Sequence, residues 1–267
     1  MFMLNLPVEA VAIDHAAGVE IAGHAHGSGQ LSLVSRGTMT ITAEEGWWLA
    51  PPGLAVWIPP NVFHAAHYSE ASSLVNLRFA SSFASRLPKG CRSIVVSDLL
   101  RELAREAVRL SAADHESELH TLGLIAELMV VQAQQPQRGP GLFVPHGGDR
   151  RLRQAIDILR LDPGNDINLD DLAARVHTSS RTLARLFTAE TKMTFGRWRE
   201  HLRIVCAVDK LTRGQSITQT ALDLGYGSAS SFTTLFTRQL GMPPRRYMEQ
   251  LRRRQEVLND RVNTNGH

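Results

Sequence analysis

From Val19 to about Phe79, apolar and polar residues alternate in short runs broken by glycine and proline. Leu31-Ser32-Leu33, Met39-Thr40-Ile41 and Val56-Trp57-Ile58 read as strands, because successive side chains of an extended chain point to opposite faces. Gly37, Gly46, Pro51-Pro52-Gly53 and Pro59-Pro60-Asn61 read as the turns between them. Many short strands with such punctuation predict a sandwich or barrel, and a small antiparallel barrel can enclose a small-ligand cavity. Beyond this stretch the period lengthens to that of a helix. Asp98–Leu110 places Leu99, Leu103, Ala107 and Leu110 on one face, and Glu116–Gln134 does the same with Leu119, Leu122, Ile125, Leu128 and Met129. Gln134–Pro145 has three prolines, two glycines and no hydrophobic period, which predicts an interdomain linker.

The remainder is helical and repeats itself. Thr182–Trp198 (TLARLFTAETKMTFGRW) lies over Ser231–Tyr247 (SFTTLFTRQLGMPPRRY) at a constant offset of 49 residues. Leu186-Phe187-Thr188 matches Leu235-Phe236-Thr237, Met193 matches Met242, Arg197 matches Arg246, and Trp198 matches Tyr247. A short helix and a turn precede each copy: Leu169–Val176, capped by Asn168, and Ile217–Leu224. Ser179 or Ser180 starts the first outward helix, with Leu183, Leu186 and Phe187 inward. Ser228 starts the second, with Phe232, Leu235 and Phe236 inward. A long helix from about Phe195 to Thr212 joins the copies. Lys192 stands where the second copy has Gly241; if that position ends the helix with positive φ, the lysine costs of order 1 kcal/mol.

Charge divides the chain as the pattern does. Residues 1–145 carry 9 Lys/Arg against 13 Asp/Glu, a net of −4, whereas residues 146–267 carry 20 against 13, a net of +7. A basic second half predicts a polyanionic partner for it. Cys91 and Cys206 form no metal-like or redox-like spacing. No apolar run approaches the roughly 20 residues of a membrane span. The segment MFMLNLPVEAVAID lacks the basic start of a signal peptide, so a cytoplasmic protein is expected.

Histidines concentrate among the strands. His24 and His26 share a face, Gln30 follows, and His64 comes after the Pro-Pro turn. Gly18, His24-x-His26, Gln30 and Gly37, followed by Gly53, Pro59 and His64, resemble the two motifs of the cupin (RmlC-like) family. The resemblance implies a double-sheet barrel whose three histidines and a glutamate can hold a divalent ion. Here Gln30 replaces that glutamate, and a neutral amide is the weaker ligand, so either a metal or an organic effector would sit among His24, His26, Gln30 and His64. Cupins also include enzymes. None of the motifs' named positions is an Asp or Glu that could serve as acid or base, so no catalytic residues are assigned and no enzyme is expected.

Trp198-Arg199, Arg203, Ala221, Gly225-Tyr226, Ser228, Phe232, Phe236, Gly241, Pro244 and Tyr247 resemble the AraC/XylS regulators. That implies two helix-turn-helix units entering successive major grooves of a double-stranded DNA operator. Base-contact positions fall on Arg181, Ala184 and Arg185 in the first copy, beside Ser180, and on Ala229, Ser230 and Thr234 in the second, beside Ser228. Arg181 and Arg185 are long donors of the kind that pair with guanine, whereas Ser228, Ser230 and Thr234 suit phosphate. Arg199 and Arg203 are expected to brace the fold. The expected chain is α+β with two domains: a cupin sensor with dimerisation helices at 1–138, a linker at 139–148, an all-α AraC-type domain at 149–258 and a disordered tail at 259–267. Function is expected to be effector- or metal-responsive transcription regulation by a homodimer. Two alternatives stay open: a cupin enzyme fused to a DNA-binding domain, and a ligand-insensitive regulator whose cupin is a scaffold.

Overall fold

Short runs of alternating residues fold as β1 (Val8–His15), β2 (Glu20–His24), β3 (Gly29–Arg36), β4 (Met39–Ala43), β5 (Gly46–Ala50), β6 (Leu54–Ile58), β7 (His64–Tyr68) and β8 (Ser72–Phe79). They are followed by α1 (Ser81–Ala84), β9 (Arg92–Val95), α2 (Asp98–Ser111) and α3 (Glu118–Gln134). This computed structural model describes residues 6–112, 118–135 and 141–259. Two units are distinct: one holds the described chain up to Ala43, from Ala50 to 135 and from Leu251, the other Glu44–Leu49 and 141–250.

In the first unit one antiparallel sheet has the order β1-β8-β3-β6-β9, and β4, β7 and β2 pair in that order in a second sheet. The pleat gives the first sheet two different faces. Leu31, Leu33, Trp57, Leu77 and Phe79 face α2 and α3, forming a core with Leu100, Ala104, Ala107, Leu110, Leu122, Ile125, Ala126, Met129 and Val130. Gln30, Ser32, Asn76 and Arg78 stand on the other face, where Gln30 pairs with Arg78 and Ser32 with Asn76. The inner face is mixed: Val34, Val56, Ile58 and Leu74 stand on it beside these polar residues.

Three expectations are corrected here. Ser97 accepts a hydrogen bond from the Leu100 amide and so starts α2 in a phase that buries Leu100 and Ala104; Leu99 is left 48% exposed and Leu103 only partly buried. Nearly every side of α3 is apolar, so spacing did not single out its inner face. Leu122, Ile125, Met129 and Val130 are buried, whereas Leu128 is 47% exposed. Glu116 and Ser117 lie outside the described residues. Within the expected linker, β10 (Phe143–Pro145) pairs with β5 (Phe143 with Trp48, Val144 with Trp47), while residues 136–140 lie outside the described chain. Among the described residues no helix is long and apolar enough to cross a membrane.

The second unit continues with α4 (Arg150–Leu161), α5 (Leu169–Arg175), α6 (Ser180–Thr191), α7 (Phe195–Thr212), α8 (Ile217–Asp223), α9 (Ala229–Leu240) and α10 (Pro244–Asn259). Side-chain caps start these helices where the sequence supplies them: Asp149 for α4, Asn168 for α5, Ser179 for α6, Thr194 for α7, Ser216 for α8 and Ser228 for α9. Such caps contribute about 1 kcal/mol each. Asn259 is the last residue of α10, and 260–267, most of the expected tail, lie outside the described residues.

The repeat is a repeat of packing. Phe187 and Trp198 lie 5.6 Å apart, ring centre to ring centre, and their counterparts Phe236 and Tyr247 also lie 5.6 Å apart. The turn after α5 holds His177 at φ 54°, and the turn after α8 holds Gly225 at φ 76°. Lys192 ends α6 at φ 61°, where Gly241 ends α9 at φ 78°. The left-handed position expected at Lys192 is real, and the first copy carries two such non-glycine residues. Arg203 donates to the carbonyls of Pro163, Gly164 and Asn165, and Arg199 to that of Ile167, so both brace the fold.

Candidate functional sites

On α6 the outward residues follow from the buried ones. Leu183, Phe187 and Thr191 are buried and Leu186 partly so, which turns Arg181 and Arg185 outward, one helical turn apart. Both are exposed, and neither has a hydrogen bond or ion pair among the described residues. Ala184 and Ser180 between and beside them are partly exposed. The guanidiniums are thus free to donate.

The equivalent face of α9 differs in chemistry. Ser228 and Ser230 are exposed and Ala229 partly exposed. The Ser228 hydroxyl is occupied as the helix cap, accepting from the Ser231 amide at 3.1 Å. Thr234 turns its hydroxyl back to the Ser230 carbonyl at 3.0 Å. These short groups can approach a backbone closely but cannot reach as the α6 arginines do.

In the first unit, cross-strand pairing assembles the histidines. His24 ends β2 and pairs directly with His64 at the start of β7, and His26 follows two residues later. Ring centres lie 4.4 Å apart for His24 and His64, 5.2 Å for His26 and His64, and 5.8 Å for His24 and His26. One ligand atom from each falls within 4.8 Å of the others. His67, partly buried on the same strand, is not in this cluster.

Each ring is oriented by its Nδ1. His24 donates to the Ala22 carbonyl at 2.9 Å, His64 to Val62 at 2.9 Å and His26 to Ser28 at 2.7 Å. A carbonyl only accepts, so Nδ1 carries a proton in each ring, and in His24 and His64 this leaves Nε2 as the nitrogen that can offer a lone pair. Nδ1 donation to a carbonyl is the support that metal-ligating histidines ordinarily have. The His64 Nε2 is buried without a partner, and burial lowers the pKa of this ring, with His24 and His26 opposing its charge. Three converging imidazoles, one with an orphaned buried nitrogen, are a donor set that fits a divalent transition metal.

Gln30, buried on β3, lies 2.9 Å from His26 Nε2 and its amide reaches Ser32 Oγ at 2.9 Å. Gln30 Oε1 accepts from His26 Nε2, and Gln30 Nε2 donates to Ser32 Oγ. It therefore partners a histidine, rather than offering a free fourth ligand.

Sequence reading missed Asn76 and Arg78, on the same inner face as Ser32 and Gln30. Two polar residues spaced by two within the apolar run Leu74–Phe79 were the available signal. A separate groove of about 890 Å³ lies against α2, with Leu33, Val75, Ala104 and Val108 among its lining and Arg36 and Arg101 also lining it.

A helix-turn-helix domain matches residues 172–250, and an AraC-like ligand binding domain matches residues 6–129. The chain is 33% identical over 239 residues to the HTH-type transcriptional regulator NimR of Escherichia coli (strain K12), covering 89% of this chain and 86% of that protein. It is 24% identical over 238 residues to the HTH-type transcriptional activator RhaS of Escherichia fergusonii, covering 83% and 85%. Among solved structures, fatty-acid-bound ToxT from Vibrio cholerae matches 92% of this chain and 96% of its own, at 13% identity and a TM-score of 0.39. A match to a named regulator across both the ligand-binding and the helix-turn-helix halves makes this chain a member of the AraC family of transcriptional regulators, with a ligand-binding domain ahead of its DNA-binding one.

Proposed function

We propose that α6 carries most of the operator discrimination, that α9 mainly positions the protein on the phosphate backbone, and that the histidine cluster senses a divalent metal or small effector. The observation that carries the DNA reading is the pair of exposed, unpartnered arginines one turn apart on α6, opposite small polar residues on α9. A bidentate arginine–guanine contact discriminates by about 1–3 kcal/mol, which the hydroxyls of α9 cannot match in reach.

His24, His26 and His64 would hold the metal through nitrogen, and Zn, Ni, Fe or Cu suits such a donor set. A bound ion would supply a charge whose presence favours one arrangement of the strands bearing these histidines over another. The cluster contains no carboxylate for acid–base work, and the relatives are named as regulators, which supports sensing over catalysis.

The regulator acts as a homodimer in the cytoplasm in this reading. Leu124, Leu128 and Val131, exposed at 53%, 47% and 49%, form a stripe along α3 at spacings of four and three residues. Such a stripe suits a second copy of the same helix. Footprinting upstream of the protein's own gene, with and without chelator, tests the whole reading. Protection of a discrete site, altered by chelator, is the expected result; no protected site at low salt refutes it.

A further inference from the structure

Beside the histidines, the inner face of the first sheet carries groups without partners. Asn76 on β8 is cross-strand from Ser32, and its Oδ1 is buried with no hydrogen bond. An unmet buried acceptor costs about 1–3 kcal/mol, which a ligand's donor would recover. Arg78, two residues on, shares that face and is cross-strand from Gln30, the residue that touches His26. Cross-strand side chains on one face begin about 5 Å apart, well within an arginine's reach. Arg78 is exposed and has no ion pair or hydrogen bond among the described residues, although Glu9 stands opposite it on β1. The Val11 side chain, 49% exposed, lies on this face opposite Asn76, so the edge of the sandwich is open here.

Charge decides the ligand class. The cluster of three histidines holds no carboxylate, and the neighbouring amide of Gln30 is neutral. A metal there, together with Arg78, leaves positive charge uncompensated, and even without metal the guanidinium remains unpaired. We propose that this site recognises a small carboxylate bearing a hydrogen-bond donor next to the acid group, with Arg78 binding the carboxylate and Asn76 Oδ1 accepting from the donor. This rests on the sensing reading of the histidine cluster, and it adds two specificity-determining residues to it. Neutral sugars and amides lack the charge that Arg78 requires, and simple carboxylates lack the donor that Asn76 requires.

The test uses three matched probes on the full chain by ligand-observed saturation-transfer NMR, with one equivalent of Zn²⁺ present. Glycolate has both the acid and the donor, acetate lacks the donor, and glycolamide lacks the charge. Glycolate should bind about tenfold more tightly than either, the scale of one charge-assisted hydrogen bond. Arg78→Gln should erase the preference over glycolamide while keeping that over acetate; Asn76→Ala should do the reverse. Arg78 is exposed, so its variant folds and keeps the test decisive if the Asn76 variant does not. Equal binding of the three probes, no glycolate binding, or a preference unchanged in Arg78→Gln overturns the proposal. Operator binding measured in parallel separates the two readings. Glycolate preference without any effect of glycolate or zinc on operator affinity upholds recognition and sinks sensing. A zinc effect on operator affinity without glycolate preference sinks recognition alone.

Discussion

At position 192, glycine should stabilise the second unit relative to alanine by about 0.5–1 kcal/mol. Lys192 ends α6 at φ 61° and ψ 16°, where a Cβ crowds the following carbonyl at a cost of roughly 1–2 kcal/mol. Glycine removes that cost but gives back about 0.5–1 kcal/mol through the freer unfolded chain. Lysine itself recovers a few tenths, about 0.3 kcal/mol, because Nζ donates to the Ala189 carbonyl at 2.7 Å, at the negative end of the helix. The turn is held by neighbours in any case. The buried Thr191 hydroxyl donates to Phe187 O at 2.6 Å and accepts from the Met193 amide at 3.3 Å, so replacing residue 192 does not open it. The order of stability should therefore be Lys192→Gly, then wild type, then Lys192→Ala. Native-state hydrogen exchange reads this locally: protected amides of α6 and α7 should exchange about two- to fivefold more slowly with glycine than with alanine. Alanine as stable as glycine would refute the reasoning, because the effect would then lie in the ammonium group and not in the backbone.

Arg185→Ala should lower operator affinity by about tenfold or more while leaving non-specific DNA binding nearly unchanged, measured as salt-matched titrations on both DNAs; equal losses would make Arg185 a phosphate contact. Leu128→Glu should shift a dimer toward monomer in sedimentation velocity, and an unchanged oligomer would remove the α3 stripe from the interface. Gln30→Glu should raise Zn²⁺ affinity in competition with a chromophoric chelator, since a carboxylate is the better ligand; no gain would place residue 30 outside the coordination shell. Burial lowers the His146 ring from its ordinary 6.5 to about 4, with Arg160 and Arg153 adding to the shift and Asp157 opposing it. The folded ring is neutral while the unfolded one takes a proton below about 6.5. Stability of the second unit is thus full above that pH and falls as pH drops toward 4. Urea melts at pH 6.5, 5.5 and 4.5 should lose less stability in His146→Gln, and parallel losses would clear His146 of the effect.

The fold was legible where local rules act alone. Asn168 and Ser228 start helices as capping chemistry requires, and Gly241 has the positive φ expected where a helix ends. The faces of α2 and α3 were not, for opposite reasons. A one-residue phase set by Ser97 decided the first, and a helix apolar on nearly all sides offered no polar face to orient the second. Phe143–Pro145 was hidden because a strand of three residues has no period, and Pro145 reads as a breaker until its partner Gly46 is known. The same limit applies at the histidines. Motif spacing named His24, His26, Gln30 and His64, but Asn76 and Arg78 enter through strand register, which one strand's sequence does not contain.

The aromatic packing that the two helix-turn-helix copies share is buried, whereas Arg181 and Arg185 stand exposed where α9 has Ser230 and Thr234. Phe187 against Trp198 and Phe236 against Tyr247 keep the same ring separation of 5.6 Å because a close-packed core leaves little room to change it. Backbone strain follows the difference, not the likeness. His177 and Lys192, both left-handed and neither glycine, stand on either side of α6, whereas α9 lies between Gly225 and Gly241. The copy bearing Arg181 and Arg185 thus gives up stability at both ends of its outward helix, and the copy with serines and threonines does not. Strain retained beside one helix and relieved beside its twin is the pattern expected when selection acts on what that helix presents rather than on how well it folds.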